Sequence, residues 1–469
     1  MKQHSPKRTL IAAAVASVAA LSLAAPAFAQ EFDGSKARVN LAGKLRTLTQ
    51  AVASASCRLE AGIEPEAARS ELVEAKNEFN VILAGLTDGS SALGIPSAEK
   101  FGVVKKSIGA VRDLWQPVDK AASAMVTGQD SGEGAKLIAS SNADLLQATM
   151  ILASDMTGKY SNPNELTQAD AMALNIAGRQ LMLAHQMSKE VCGIMANAAD
   201  MGTVEGLGST LDTYTVSLNA LSNGMVDAGI NPPPTEAVAK ELAAVNATWT
   251  ETLGALNAIR GGFAPSSENV ANLAVTSADL TTRMDNVVTL YMLATPGQED
   301  VYRVPLRAYA ESQLNQWLSN PELIAAIKAQ NAEHTNLTQA EIDQLDLDWR
   351  AQRKAEAKPL IDGILSRPAS AWLAQKQSET AQFVTEVFAM DNRGLNVAQS
   401  TETSDYWQGD EAKWQDTFGN GSGEIHISEV EFDDSTGSYQ SQVSMPVKDP
   451  ATGELIGAIT FGVNVQSLL

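Results

Sequence analysis

The chain has 469 residues, with 34 Lys and Arg against 55 Asp and Glu, a formal charge of −21. That acidity argues against nucleic acid and anionic membrane surfaces as partners. Four scattered His and two Cys give no metal-ligand spacing, and there is no Gly-rich phosphate loop, GxSxG elbow or HExxH, so neither a cofactor nor an enzyme activity is expected.

The chain opens with Lys2, Lys7 and Arg8, a small-residue apolar run from Leu10 to Ala25, and then "APAFAQ". This is the pattern of a secretory signal peptide over 1–29, cut after Ala29. A membrane anchor is the rival, but the run is Ala-rich and short for a span. The mature protein is therefore expected in the periplasm, soluble, with a charge of −24 once the three leader cations are gone.

Next comes "VNLAGKLRTLTQAVASASC" (Val39–Cys57), which returns as "LNIAGRQLMLAHQMSKEVC" (Leu174–Cys192). Asn40 and Asn175, Ala42 and Ala177, Gly43 and Gly178, Leu48 and Leu183, and Cys57 and Cys192 all stand 135 residues apart. The register continues through Phe79 and Tyr214, Leu86 and Leu221, Gly89 and Gly224, and Gly94 and Gly229; Trp115 and Trp249 differ by 134. Such self-similarity marks a tandem duplication. Apolar residues recur at three and four, and breakers divide each copy into about four helices. In the first copy these are "GIEPEA", "TDGSSALGIPSAE" and "GQDSGEG". In the second, a helix start falls near Ser161–Thr167, followed by breaks at Asp200–Gly206, Gly229–Ala237 and Arg260–Ala271. Short loops favour antiparallel bundles, over 30–160 and 161–297.

On a wheel of about 100° per residue, Arg46 and Cys57 of the first helix fall within roughly 20° of each other, with Gly43 close by. One face thus offers a backbone notch for a close helix crossing and a cation able to hold an anion. From the residues alone, a tight crossing point with a solvated or snorkelling Arg is the more ordinary reading.

"VNLAGKLRTLTQ" and "LNIAGRQLMLAHQM" resemble the opening of the type IV pili methyl-accepting chemotaxis transducer N-terminal domain. They are also similar to the periplasmic segment of nitrate/nitrite sensor kinases. The resemblance implies a four-helix sensor bundle and an anion site at Gly43 and Arg46. In the second copy Gly178 matches, Leu181 stands at the Arg position, and Arg179 agrees with the pili-type variant, which puts nitrate itself in doubt. Since such sensors pair two copies of the first helix, the resemblance implies an intrachain pseudo-dimer with equivalent helices facing one another. At Cys57 and Cys192 a disulfide and two separately buried thiols both fit an exported protein.

Beyond "ATPGQED" (294–300) the segment Arg303–Lys376 reads helical, and strands follow at 385–391, 395–400, 424–432, 439–447 and 455–465, the last three as an antiparallel meander with "DDSTGS" as one turn. A long helix, two strands around "MDNRG", an aromatic loop and a meander resemble a single Cache domain, a PAS-like sensor, over 298–469. That resemblance implies a ligand pocket near Arg393, Gln399, Ser400, Asp405, Tyr406, Trp407 and Trp414; a capping loop whose aromatics close the core is the other reading.

The fold expected is thus mainly α and multidomain: tandem antiparallel helical bundles, then an α+β Cache-like domain with an antiparallel sheet. The function expected is a periplasmic small-molecule sensor. It would act through a transmembrane chemoreceptor or histidine kinase, carry no output domain of its own, and pair as a homodimer or within one chain. A ligand-free scaffolding protein of the envelope is the alternative.

Overall fold

A computed structural model describes residues 34–90, 93–130, 132–161, 168–294, 300–380, 383–433, 437–465 and 468. The leader, the helix start at 162–167, most of "ATPGQED" and the centre of "DDSTGS" lie outside the described residues.

Eight long helices form the first part: α1 (Ser35–Glu60), α2 (Pro65–Asp88), α3 (Gly102–Thr127), α4 (Gly134–Tyr160), α5 (Gln168–Met195), α6 (Val204–Asn223), α7 (Glu236–Arg260) and α8 (Ser267–Leu293). Their starts follow from local chemistry. Pro65 occupies the first turn of α2, where its missing N–H costs nothing. Thr203 and Thr235 cap α6 and α7, and Ser266 forms a reciprocal capping box with Asn269 on α8. In each copy the first helix packs on the second and fourth, and the second on the third, which makes two antiparallel four-helix bundles.

The duplication is visible in detail. The loop after α2 carries a Ser90–Ile95 bridge, and the loop after α6 a Met225–Ile230 bridge, 135 residues on. Gly89 and Gly224 enter these loops at φ 84° and 77°, where a Cβ would strike the Ser97 backbone or Pro232. Trp115 stacks on Phe79 at 3.8 Å between centroids, and Trp249 lies against Tyr214 at 4.4 Å, so both copies fill the same core site with an aromatic pair. One end of the first bundle is tied by a buried ion pair: Arg38 Nη1 lies 3.3 Å from Glu99, and Glu99 also accepts from the Tyr160 hydroxyl at 2.9 Å.

The second part holds α9 (Arg303–Ser312), α10 (Pro321–Glu333), α11 (Gln339–Gln352), α12 (Pro359–Leu365) and α13 (Pro368–Ser378). The long helix expected at its start is broken. A 3-10 turn, Leu314–Ser319, follows α9, and Asn320 then caps a new helix whose first residue is Pro321. Strands β1 (Val384–Met390), β2 (Asn396–Gln399), β3 (His426–Asp433), β4 (Ser438–Lys448) and β5 (Leu455–Val463) form one antiparallel sheet in the order β2-β1-β5-β4-β3. The fold class read from the sequence, tandem bundles then an α+β unit with an antiparallel sheet, is the one observed.

Candidate functional site

Two regions concentrate buried polar chemistry. The first is the seam between the copies, where α1 and α5 lie side by side. Cys57 and Cys192 are disulfide-bonded with Cα atoms 6.2 Å apart. About one turn nearer the N-termini, the Ser54 and Ser188 hydroxyls meet at 2.8 Å. Lower still, the charge of Arg179 acts on Arg46. Contacts that descend together along both helices require the helices to run parallel, so equivalent faces meet.

Arg46 is half-buried, and its Nε donates to the Gly43 carbonyl at 3.2 Å. Burial, and then the neighbouring Arg179, pushes its pKa down. Among the described residues no carboxylate pairs with Arg46. The copies differ at this level. Lys44, the equivalent of Arg179, reaches Glu78 at 2.5 Å; burial opposes its charge, but Glu78 and then Asp285 of α8 outweigh it and raise its pKa. Leu181, the equivalent of Arg46, packs on the core. The glycines are not tight crossing points. A Cβ on Gly178 would meet nothing within 4 Å, and one on Gly43 only the Arg46 guanidinium at 3.3 Å.

Between the arginines and the disulfide runs a polar layer that the sequence reading missed. Gln50 Nε2 donates to Asn142 Oδ1 at 3.3 Å, Asn142 Nδ2 to the Thr49 carbonyl at 3.2 Å, and Lys189 Nζ to Asn142 Oδ1 at 3.0 Å. Burial lowers the Lys189 pKa and raises that of Glu190, which accepts from Gln186 and Thr210. His185 is pushed down to about 4 by burial and then by Arg58. The available signal was the repeat register itself, which sets Gln50 against His185 and Ser54 against Lys189 at positions the wheel places inside.

The second region is the α+β unit. The seven residues predicted there spread over more than one cluster, with Tyr406 and Trp407 packed beside Trp349 and Leu395, and Trp414 against Phe388, Met390 and Ala458. Tyr406 is buried and stacked on Trp349 at 5.2 Å. The Tyr406 and Trp407 amides donate to Asp346 Oδ1, and Asp405 pairs with Arg350 at 3.1 Å. Trp407 and Trp414 donate their indole N–H groups to the carbonyls of Arg393 and Asp391, at 2.8 and 3.1 Å, on the turn between β1 and β2. Asp391 stiffens that turn by accepting from the Arg393 and Leu395 amides and meeting His334 Nδ1 at 2.7 Å. Gln399 Oε1 accepts from Thr403 at 3.3 Å, and the Thr403 hydroxyl also donates to the Asp405 carbonyl at 2.8 Å. The Gln399 backbone amide donates to Ser370, and the Ser400 hydroxyl accepts from the Val387 amide on β1. A groove of about 460 Å³ between α10 and α13, with Arg367 and Glu333 among its walls, is lined by none of the seven.

The other sheet face holds what the sequence reading passed over. Glu386 on β1 is buried, and its Oε1 accepts from Gln440 and Gln442 of β4 at 3.0 and 3.1 Å. Gln440 also donates to Asp433 of β3 at 2.5 Å. Burial, then the charge of Asp433, pushes the Glu386 carboxyl up to about 7, while Lys413 and the two glutamines pull it back. Phe388, Met390 and Ala458 continue this face beneath Trp414 and Phe418. A charged residue in an otherwise apolar strand, "VTEVFAM", was the available clue.

Residues 29–140 and 165–276 each match the model of the type IV pili methyl-accepting chemotaxis transducer N-terminal family. Both helical repeats belong to it. No curated protein and no solved structure matches the chain. The matched segments take in α1 to α3 and α5 to α7 with the first part of α4 and of α8, and so include the paired α1 and α5 helices, whereas the α+β unit stands outside them. Among the described residues no helix is long and apolar enough to cross a membrane, and no group of three or more His, Cys, Asp or Glu is placed to hold a metal.

Proposed function

We propose that this protein is an exported periplasmic sensor that binds a small molecule and acts on a transmembrane chemoreceptor or histidine kinase. The observation that carries the reading is the parallel α1–α5 pair, joined at equivalent positions by Cys57–Cys192. Two transducer-type sensory repeats are arranged in one chain as a dimer would arrange two chains. A disulfide accords with an oxidising compartment, and the leader accords with export. The α+β unit resembles a Cache sensor in its five-stranded antiparallel sheet, and we place ligand recognition either on its Glu386 face or between Arg46 and Arg179.

A second reading, a ligand-free scaffold of the envelope, is favoured by Trp407 and Trp414, whose indole N–H groups are engaged internally. A thermal-shift screen of the mature chain against nitrate, nitrite, amino acids, amines and organic acids separates the two. A ligand selective for the native state raises the melting temperature by mass action. Loss of that rise in Arg46→Ala assigns the ligand to the seam; loss in Glu386→Gln assigns it to the sheet. A flat response to every class sinks the sensor reading.

A further inference from the structure

We propose that the sheet face around Glu386 is built to take a primary alkylammonium ion, and that the Lys413 side chain is a tethered stand-in for that ligand. The inference rests on reading the α+β unit as a ligand-binding module. Lys413 belongs to a short helical segment, Ala412–Gly419, that follows β2 in the chain and lies against β3, β4 and β5. Lysine normally extends into water, yet this side chain is only 12% exposed. Its ammonium sits 5.3 Å from the centre of the Phe388 ring and 2.9 Å from Glu411, with the Glu386 carboxyl near enough to feel its charge. An aromatic face, a carboxylate oriented by two amide donors and a second carboxylate at the rim are the groups that recognise an ammonium.

The covering segment is anchored independently of Lys413: Trp414 and Phe418 pack on Phe388, Met390 and Ala458, the Trp414 indole donates to the Asp391 carbonyl, Thr417 is buried, and Asp416 lies 3.2 Å from His426 of β3. Releasing Lys413 breaks a partly exposed ion pair and one cation–π contact, and leaves the five strands untouched. A free amine would have to compete with an ammonium already tethered in place, so the site becomes available to it once the Lys413 side chain is removed. Glu411 and the charges of Glu386 and His426 act at that ammonium; Glu386 in turn is faced by Asp433 of β3 and by Gln440 and Gln442 of β4, and His426 by Asp416. Burial pushes the Glu386 carboxyl up to about 7 even with Lys413 pulling it back, so amine binding strengthens as the pH rises through and above 7.

The test is chemical rescue of the full mature chain carrying Lys413→Ala, with n-butylamine as probe and n-butanol as its uncharged counterpart. At pH 8, butylammonium should raise the variant's melting temperature saturably by about a degree or more, and butanol should not. The response should be at least tenfold weaker in wild-type protein and lost in Lys413→Ala/Glu386→Gln. Lys413→Ser replaces the alanine variant if that one does not fold. No rise in either single variant, an equal rise with butanol, or a rise that survives Glu386→Gln overturns the proposal. If the wild-type screen yields a ligand elsewhere while rescue fails, only the amine inference falls; if both fail, the sensor reading falls with it.

Discussion

At the residue scale, Glu386 makes folding depend on pH in a direction opposite to most carboxylates. Its pKa is raised from 4.5 to about 7 by burial and Asp433, so the folded state binds the proton more tightly than the unfolded chain. Its contribution therefore favours folding fully below pH 4.5 and is lost as the pH climbs through 7. Glu386→Gln keeps an acceptor for Gln440 and Gln442 but cannot ionise. We expect the variant and wild type to diverge between pH 4.5 and 7, with the variant more stable above 7 by on the order of 3 kcal/mol at most. Urea unfolding at pH 4.5, 6 and 8 measures this; parallel curves would show that the carboxyl is not enclosed. His185 works the other way. Its pKa, lowered to about 4, favours folding above the ordinary imidazole range and ceases to do so as the pH falls through 4.

At the scale of elements, the α1–α5 pair gains from a covalent link between positions 135 residues apart. Closing so long a loop restricts the unfolded chain, and on the chain-entropy model such a bond contributes about 2–5 kcal/mol. Cys57→Ser/Cys192→Ser should accordingly lower the melting temperature while leaving the far-ultraviolet helical signal unchanged at 20 °C, because Ser54, Ser188 and the Asn142 layer still hold the seam. Dithiothreitol should reproduce the shift in wild-type protein and do nothing to the double variant. An unaltered melting temperature would mean the seam is fixed by packing alone. These same elements show what sequence can carry. Both bundles and all five strands were legible because apolar spacing and breaker residues act locally. The break at Asn320–Pro321 was equally local and was overlooked in a long polar-apolar pattern. The sites were harder. Trp407 and Trp414 look alike in any aromatic loop, and whether an indole walls a pocket or caps a turn depends on a carbonyl that the fold brings to it. Glu386, Gln440 and Gln442 become one cluster only when the β1-β5-β4 register is known.

At the scale of the whole molecule, the proposed sensor reading requires the helical and α+β parts to be coupled, and the described contacts include one place where they meet. Asn286 on α8 donates to the Gly437 carbonyl at the start of β4, and the Tyr439 ring packs on the helical core, with the charge of Glu241 on α7 also acting on it. Asp433 and Gln440 belong to the Glu386 cluster, so that cluster and the position of α8 are linked through a few residues of backbone. A coupling this narrow should be separable from both folds. We expect Asn286→Ala/Tyr439→Ala to retain the circular dichroism of wild type but to widen the gap between the melting of the helical and the α+β parts in scanning calorimetry. A ligand held on the sheet should stabilise both parts of the wild-type protein, and only the α+β part of the variant, because linkage acts only through a shared equilibrium. If the variant's helical transition still follows sheet occupancy, the signal travels by another route.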